Sequence, residues 1–244
     1  MGFKDFLNVY EFESKLPGSG QVVKYKPITT TELKKLLVYE NETNPINIEK
    51  AFDELITSCV ISEGFNVNDL LLQDRHFLII ELRKASKGDI YEFTFKCPKC
   101  KSDNMTGINF NDFKVVKKLE NIDNKIEINK DTALYLDHAT RGKQIEAYDK
   151  IDTKQEMTQI KTDMALHSIA TYITGIETPD GIEKDLTLDD KLFIVSKLSF
   201  KTFDKIKKWT ADNDFGIDMT YNIKCVHCDF VSEKQEMDIS SNFF

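Results

Sequence analysis

The chain has 244 residues, 41% of them hydrophobic and 30% charged, with a formal net charge of −8. That length can bury one large core or two modest ones. The acidic balance argues against a nucleic-acid-coating role, which needs a concentrated positive surface, and the absence of any apolar run near the ~20 residues that span a bilayer argues against a membrane protein.

Lys96, Lys99, Lys101 and the run Lys205–Lys208 read as solvated faces rather than a phosphate-binding patch. The N-terminus lacks the pattern of a secretory signal. Met1-Gly2-Phe3-Lys4-Asp5-Phe6 lacks the serine or threonine of a myristoylation signal. A reducing cytosol is the expected environment.

Residues 1–20 read as an extended arm in which Phe3, Phe6, Leu7, Tyr10 and Phe12 alternate with charges before Leu16-Pro17-Gly18-Ser19-Gly20 breaks the chain. So many aromatics do not suit a solvated linker, and Phe3, Phe6 and Tyr10 are expected to dock on the domain or on a partner. Gln21–Lys26 alternates as a short strand ended by Pro27. Thr29-Thr30-Thr31-Glu32 is a capping box, which predicts a helix to about Glu42. After Pro45 a second helix carries Ala51, Phe52, Leu55, Ile56, Cys59 and Val60 at helical spacing. A third, from about Asn68 to Ala85, is apolar on several sides and reads as the central helix. On it, Asp74 and His76 read as packed residues rather than chemistry. Cys59, the odd thiol, reads as core.

Between the turn at Ser86-Lys87-Gly88-Asp89 and Phe113 lies a strand, a Cys97-Pro98-Lys99-Cys100 knuckle and a second extended stretch, Met105–Phe113. The same layout returns at Ile217–Lys224, Cys225-Val226-His227-Cys228 and Phe230–Ile239. Between these halves, Lys125–Asn129 reads as a strand and Asp131–Lys150 as helical in its second part. Lys154–Gly175 reads as one long helix and Thr178-Pro179-Asp180-Gly181 as a turn. Thr187 with Asp190, and then Ser199, cap two short helices of a hairpin. The chain closes on Phe243-Phe244, adjacent aromatics suited to sealing the chain's own core or plugging a partner's pocket.

Each Cys-X-X-Cys pair has the spacing that turns two thiolates toward one ion, and two such pairs supply a tetrahedral structural zinc set. Disulfides, reduced structural thiols and redox chemistry are the other readings. A redox pair normally opens a helix, whereas both pairs here lie in strand-to-strand turns. A catalytic zinc with His227 as a ligand would need an open position and a nearby base. The expected fold is α+β: an N-terminal arm (1–20), an N-terminal helical domain (21–87), a split four-cysteine zinc ribbon (88–113 plus 216–244) and a mostly helical insertion (114–215). The expected ligands of one zinc ion are Cys97, Cys100, Cys225 and Cys228.

Several pieces together resemble a viral family: the stretch from Leu16 to Thr29, the helix ending Leu82-Arg83-Lys84-Ala85-Ser86-Lys87-Gly88, the two knuckles, and the terminal Phe243-Phe244. Their order and spacing are similar to the baseplate hub proteins of T-even-type contractile-tailed bacteriophages, also described as hub assembly proteins or chaperones. The likeness is strongest over 16–113 and 200–244 and weak over 114–180. It implies a non-enzymatic protein of the virion tail baseplate, or of the host cytoplasm during assembly. Its expected partners are other hub and tail proteins, including the tape-measure protein, with no small-molecule substrate, nucleic acid or membrane. The residue-level alternative is a cellular zinc-ribbon adaptor for nucleic acid or transcription machinery, which Asp229, Glu233, Glu236 and Asp238 on the second half disfavour.

Overall fold

A computed structural model describes residues 10–39, 41–237, 239 and 243. Phe3, Phe6 and Phe244 lie outside the described residues. Part of the expected arm is a strand: β1 (Phe12–Lys15) pairs antiparallel with β2 (Val22–Tyr25), setting Phe12 against Tyr25 with their rings stacked at 6.0 Å. Phe-Glu-Ser-Lys carries too little apolar alternation to read as a strand alone; its partner supplies the reason. In the turn between them Leu16 is buried, and the N–H groups of Gly18 and Ser19 donate to the Asp74 carboxylate at 2.6 and 2.9 Å. Asp74 is therefore packed and hydrogen-bonded, while His76 lies on an exposed face.

The Thr29–Glu32 box caps α1 (Thr30–Leu37), which is shorter than its pattern suggests because Val38 and Tyr39 bond back with a tighter i→i−3 turn. Asn44 caps α2 (Pro45–Cys59), with Pro45 in the first turn, where a missing N–H costs nothing. A 3-10 turn at Val67–Asp69 delays α3 until Leu72–Lys87. Phe77, Leu78, Ile79, Ile80 and Leu82 of α3 are all buried, so this helix is central. Gly88, at φ +89°, ends it and redirects the chain.

β3 (Ile90–Lys96) and β4 (Asp103–Asn109) form a regular antiparallel hairpin. After β5 (Lys114–Val116) come β6 (Lys125–Asn129), β7 (Thr132–Leu136), α4 (Arg141–Tyr148), α5 (Met157–Tyr172), β8 (Ile173–Thr178) and β9 (Gly181–Glu183). Then follow α6 (Leu188–Lys197), α7 (Phe200–Asp212), β10 (Gly216–Asp218), β11 (Thr220–Lys224) and β12 (Val231–Glu236). Beside the helices α4–α7, the middle segment also holds a four-stranded antiparallel sheet, β6-β7-β8-β9, which the sequence pattern does not show beyond β6. The expected long helix ends at Tyr172, and Ile173, Thr174, Ile176 and Thr178, β-branched and alternating, run on as β8. Among the described residues no helix is long and apolar enough to cross a membrane.

The largest core joins both ends of the sequence. Leu16, Val23, Tyr25, Phe52, Ile56, Leu78 and Ile80 pack with Ile108, Phe110 and Phe113, and with Met237 and Phe243 from the far end. A second core lies between the sheet (Leu134, Leu136, Ile173) and the helices α5–α7 (Ile169, Val195, Ile206, Trp209). A third brings Ile46 of α2 against Ala147, Tyr148, Ile151 and Ile160.

Charge also joins the halves. Asp53 of α2 accepts from the Arg75 Nε at 2.6 Å and from the Arg141 Nε and Nη2 at 2.8 and 2.6 Å. Glu49 pairs with Arg75 Nη1 at 2.8 Å and Arg141 Nη1 at 3.5 Å. Both guanidinium side chains are 2% exposed or less, so the two cations survive burial because two carboxylates, the Glu49 carbonyl and the Gln144 Oε1 satisfy them. Nearby, the buried His138 ring packs edge-on against Phe215 at 4.8 Å, and neither ring nitrogen has a hydrogen-bond partner among the described residues. Burial, with Lys118 in support, holds this imidazole below its ordinary pKa, so it stays neutral.

Candidate metal centre

Two hairpins position the cysteines. The turn between β3 and β4 presents Cys97 and Cys100; the turn between β11 and β12 presents Cys225 and Cys228. Each turn closes on its own backbone: Cys97 N–H donates to Ser102 O, Lys101 N–H to Cys97 O, and Cys225 N–H to Phe230 O, at 2.9 to 3.0 Å. Lys101 adopts φ +63°, the left-handed conformation that folds the first knuckle back. The hairpins meet through their inward faces, Phe93 edge-on to Tyr221 at 5.8 Å.

This docking brings all four sulfurs together across 125 or more residues of sequence. Cys97 Sγ lies 3.7 Å from Cys228 Sγ and Cys100 Sγ lies 3.6 Å from Cys225 Sγ, with every sulfur pair within 4.8 Å. Four thiolates arranged tetrahedrally at about 2.3 Å from one ion stand about 3.8 Å apart, so the donor set fits. All four are free thiols, and these two approaches each run from one knuckle to the other. His227 contributes its backbone N–H to Cys225 Sγ at 3.3 Å, and the four-residue cluster does not include its ring.

The protonation of the four sulfurs exposes the same chemistry. Hydrogen bonds from the Ser102 hydroxyl and N–H pull the Cys100 thiol down to about 6. The Phe230 N–H favours the Cys228 thiolate, yet burial and the three neighbouring sulfurs push that thiol up to about 12. Against burial, the His227 N–H also holds the Cys225 thiol below its ordinary value, so negative charge is favoured at Cys100 and Cys225 and opposed at Cys228, an opposition that a divalent cation would offset.

A residue outside the cysteine pattern completes the support. Asn104 of β4 is 2% exposed; its Nδ2 donates to Ser102 O of the first knuckle at 2.9 Å, and its Oδ1 accepts from Val226 N–H of the second at 2.9 Å. It braces one knuckle against the other. The sequence signal for it is a polar side chain on the inward register of β4, two residues from Thr106 and four from Ile108. At the rim, Lys99 pairs with Asp229 at 2.6 Å, but both are more than half exposed, so this contact adds little.

The aromatic residues expected at a partner divide. Tyr10 is 81% exposed and open to contact. Phe243 is 1% exposed, its ring 5.8 Å from both Tyr91 and Phe110, and its carbonyl accepts from Arg83 Nε at 3.0 Å. Its ring packs inside its own chain. Phe3, Phe6 and Phe244, expected as partner contacts, lie outside the described residues.

Compared with known families, residues 7–244 match the model of the T4 bacteriophage base plate protein. No curated protein and no solved structure matches the chain.

Proposed function

This chain belongs to the T4 bacteriophage base plate protein family, and from that premise we propose that it serves the central hub of the baseplate as a structural or assembly component, held rigid by one zinc ion. The observation that carries the proposal is the family match over nearly the whole chain, and the four-sulfur cluster specifies how such a component is built. Cys97, Cys100, Cys225 and Cys228 are the proposed ligands. Four thiolates leave no coordination position for water or substrate, so the zinc is structural and the role non-enzymatic.

Magnitude favours metal over a merely reduced cluster. Closing a loop of this length costs about 4 kcal/mol in its length-dependent part, (3/2)RT ln n. A structural zinc site supplies about 10–16 kcal/mol. The expected partners are other hub and tail proteins, the tape-measure protein among them. Tyr10 with Phe3 and Phe6 is the proposed docking arm, and the mature tail or the assembling cell is the place of action.

Elemental analysis of tag-free protein is expected to give one zinc per chain. Cys97→Ser and Cys225→Ser should each release it and lower the melting temperature. Purified tails should contain the protein, or assemble incorrectly when its gene is removed. Salt-sensitive binding to random duplex DNA, with no association with tail proteins, would point to the adaptor reading instead.

A further inference from the structure

The chain's acidity is unevenly placed. Residues 197–208 carry five lysines and one aspartate, a net +4, so the remainder carries −12. This basic stretch spans the end of α6 and most of α7, two helices joined only by Leu198 and Ser199. Ile206 and Trp209 bury the opposite face of α7, leaving Phe200, Lys201, Lys205 and Lys208 outward, on the spacing of one helical face.

Two large aromatics stand in the same corner. Phe200 is 81% exposed and Phe193 is 63% exposed, with the Lys197 ammonium over the Phe193 ring at 5.4 Å. Among the described residues, none of Lys197, Lys201, Lys207 or Lys208 pairs with a carboxylate, and Lys205 reaches only the Glu127 carbonyl of β6 at 2.9 Å. Isolated exposed apolar side chains need no explanation. Two exposed phenylalanines, interspersed along two consecutive helices with five lysines that pair with no carboxylate among the described residues, give this corner of an otherwise strongly acidic protein a distinct chemistry.

We propose that the α6–α7 corner is a docking surface for an acidic segment of another tail protein, with Phe193 and Phe200 as apolar anchors and the surrounding lysines as the charged rim. The choice of occupant rests on charge. A second copy docking by two-fold symmetry would set these lysines against their own counterparts. A nucleic-acid backbone or anionic bilayer would press continuous negative charge onto Asp204, within the patch, and onto Asp189 and Asp190, at the start of α6. A peptide can place its carboxylates opposite the lysines and leave the aspartates free. That the partner is a tail protein rests on the baseplate reading above; the chemistry of the patch does not.

The test replaces Phe200, and in a second protein Phe193, by photoreactive p-benzoylphenylalanine in the full chain during infection, then sequences the cross-linked peptides. The expected product is a peptide from a different tail protein, rich in Asp and Glu. Lys201→Glu/Lys208→Glu is expected to lower its yield about tenfold, as loss of rim charges facing a complementary partner would, with zinc content and melting unchanged. Cross-links confined to a second copy, to a neutral or basic peptide, to nucleic acid or to lipid overturn the proposal, as does their absence. If tails still contain the protein in those cases, the baseplate role stands and only the docking surface falls. Absence from tails together with normal tail assembly when the gene is removed would instead count against the baseplate role itself.

Discussion

Asp53→Asn tests the energetic argument for the buried charge cluster most directly. The substitution keeps shape and volume but removes one of the two negative charges that Arg75 and Arg141 share, leaving the Glu49 carboxylate, 31% exposed, as the one carboxylate among the described residues that pairs with them. Removing one partner of a buried, hydrogen-bonded ion set costs about 3–5 kcal/mol, because the abandoned charge has already lost its water. For a chain of this length 1 kcal/mol corresponds to about 2 °C, so the expected fall in melting temperature is about 6–10 °C. Lys50–Asp149 provides the control: its members are 48% and 56% exposed, and Asp149→Asn should shift melting by less than about 2 °C. Thermal unfolding followed by circular dichroism, with zinc present throughout, reads both. If Asp53→Asn melts within 2 °C of the parent while Asp149→Asn behaves the same, the cluster does not join the halves as argued.

The remaining expectations are simpler. Phe243→Ala should cost about 3–5 kcal/mol, read by denaturant titration, since the ring is fully enclosed by Tyr91 and Phe110; an unchanged midpoint would mean the C-terminus is not part of the core. Gly18→Ala would drive its Cβ into the Phe215 ring and to 2.9 Å from an Asp74 carboxylate oxygen, an overlap worth about 1–3 kcal/mol of destabilisation in the same titration. For Glu32, burial alone would raise the carboxyl, but hydrogen bonds from the Thr29 hydroxyl and N–H lower it to about 2 from 4.5. A folded pKa below the unfolded one gives stability that is complete above about pH 4.5 and lost as pH falls toward 2. The melting gap between parent and Glu32→Gln should therefore close over that window, and a gap constant with pH would refute the assignment.

The parts legible in the sequence were those set by local chemistry. Thr29 with Glu32 and Thr187 with Asp190 form full capping boxes, and Ser199 caps α7, because these motifs need only neighbours within four residues. The four cysteines announce their grouping through spacing that few other functions require. What stayed hidden depends on distant partners. Phe12–Lys15 becomes a strand because β2 lies beside it, and Ile173–Thr178 leaves the helix because β7 offers a ladder. Arg75 was hidden by its type, since arginine normally reads as exposed. Its position on α3, in step with the buried Leu72, Ile79 and Leu82, was the available signal. Its partner Asp53 sits on another helix, and the second guanidinium comes from 88 residues beyond that.

The shared core of the two chain ends has a consequence for how the protein is made. A ribosome releases residues in order, and Tyr91, Phe110 and Arg83 emerge well before Phe243, the residue that covers them. The first hundred residues must therefore wait, with an open apolar face, for Met237 and Phe243 to leave the exit tunnel, which makes this packing step late and non-local. During that interval the unfinished chain exposes the apolar face that Phe243 later covers, the kind of surface on which incomplete chains aggregate.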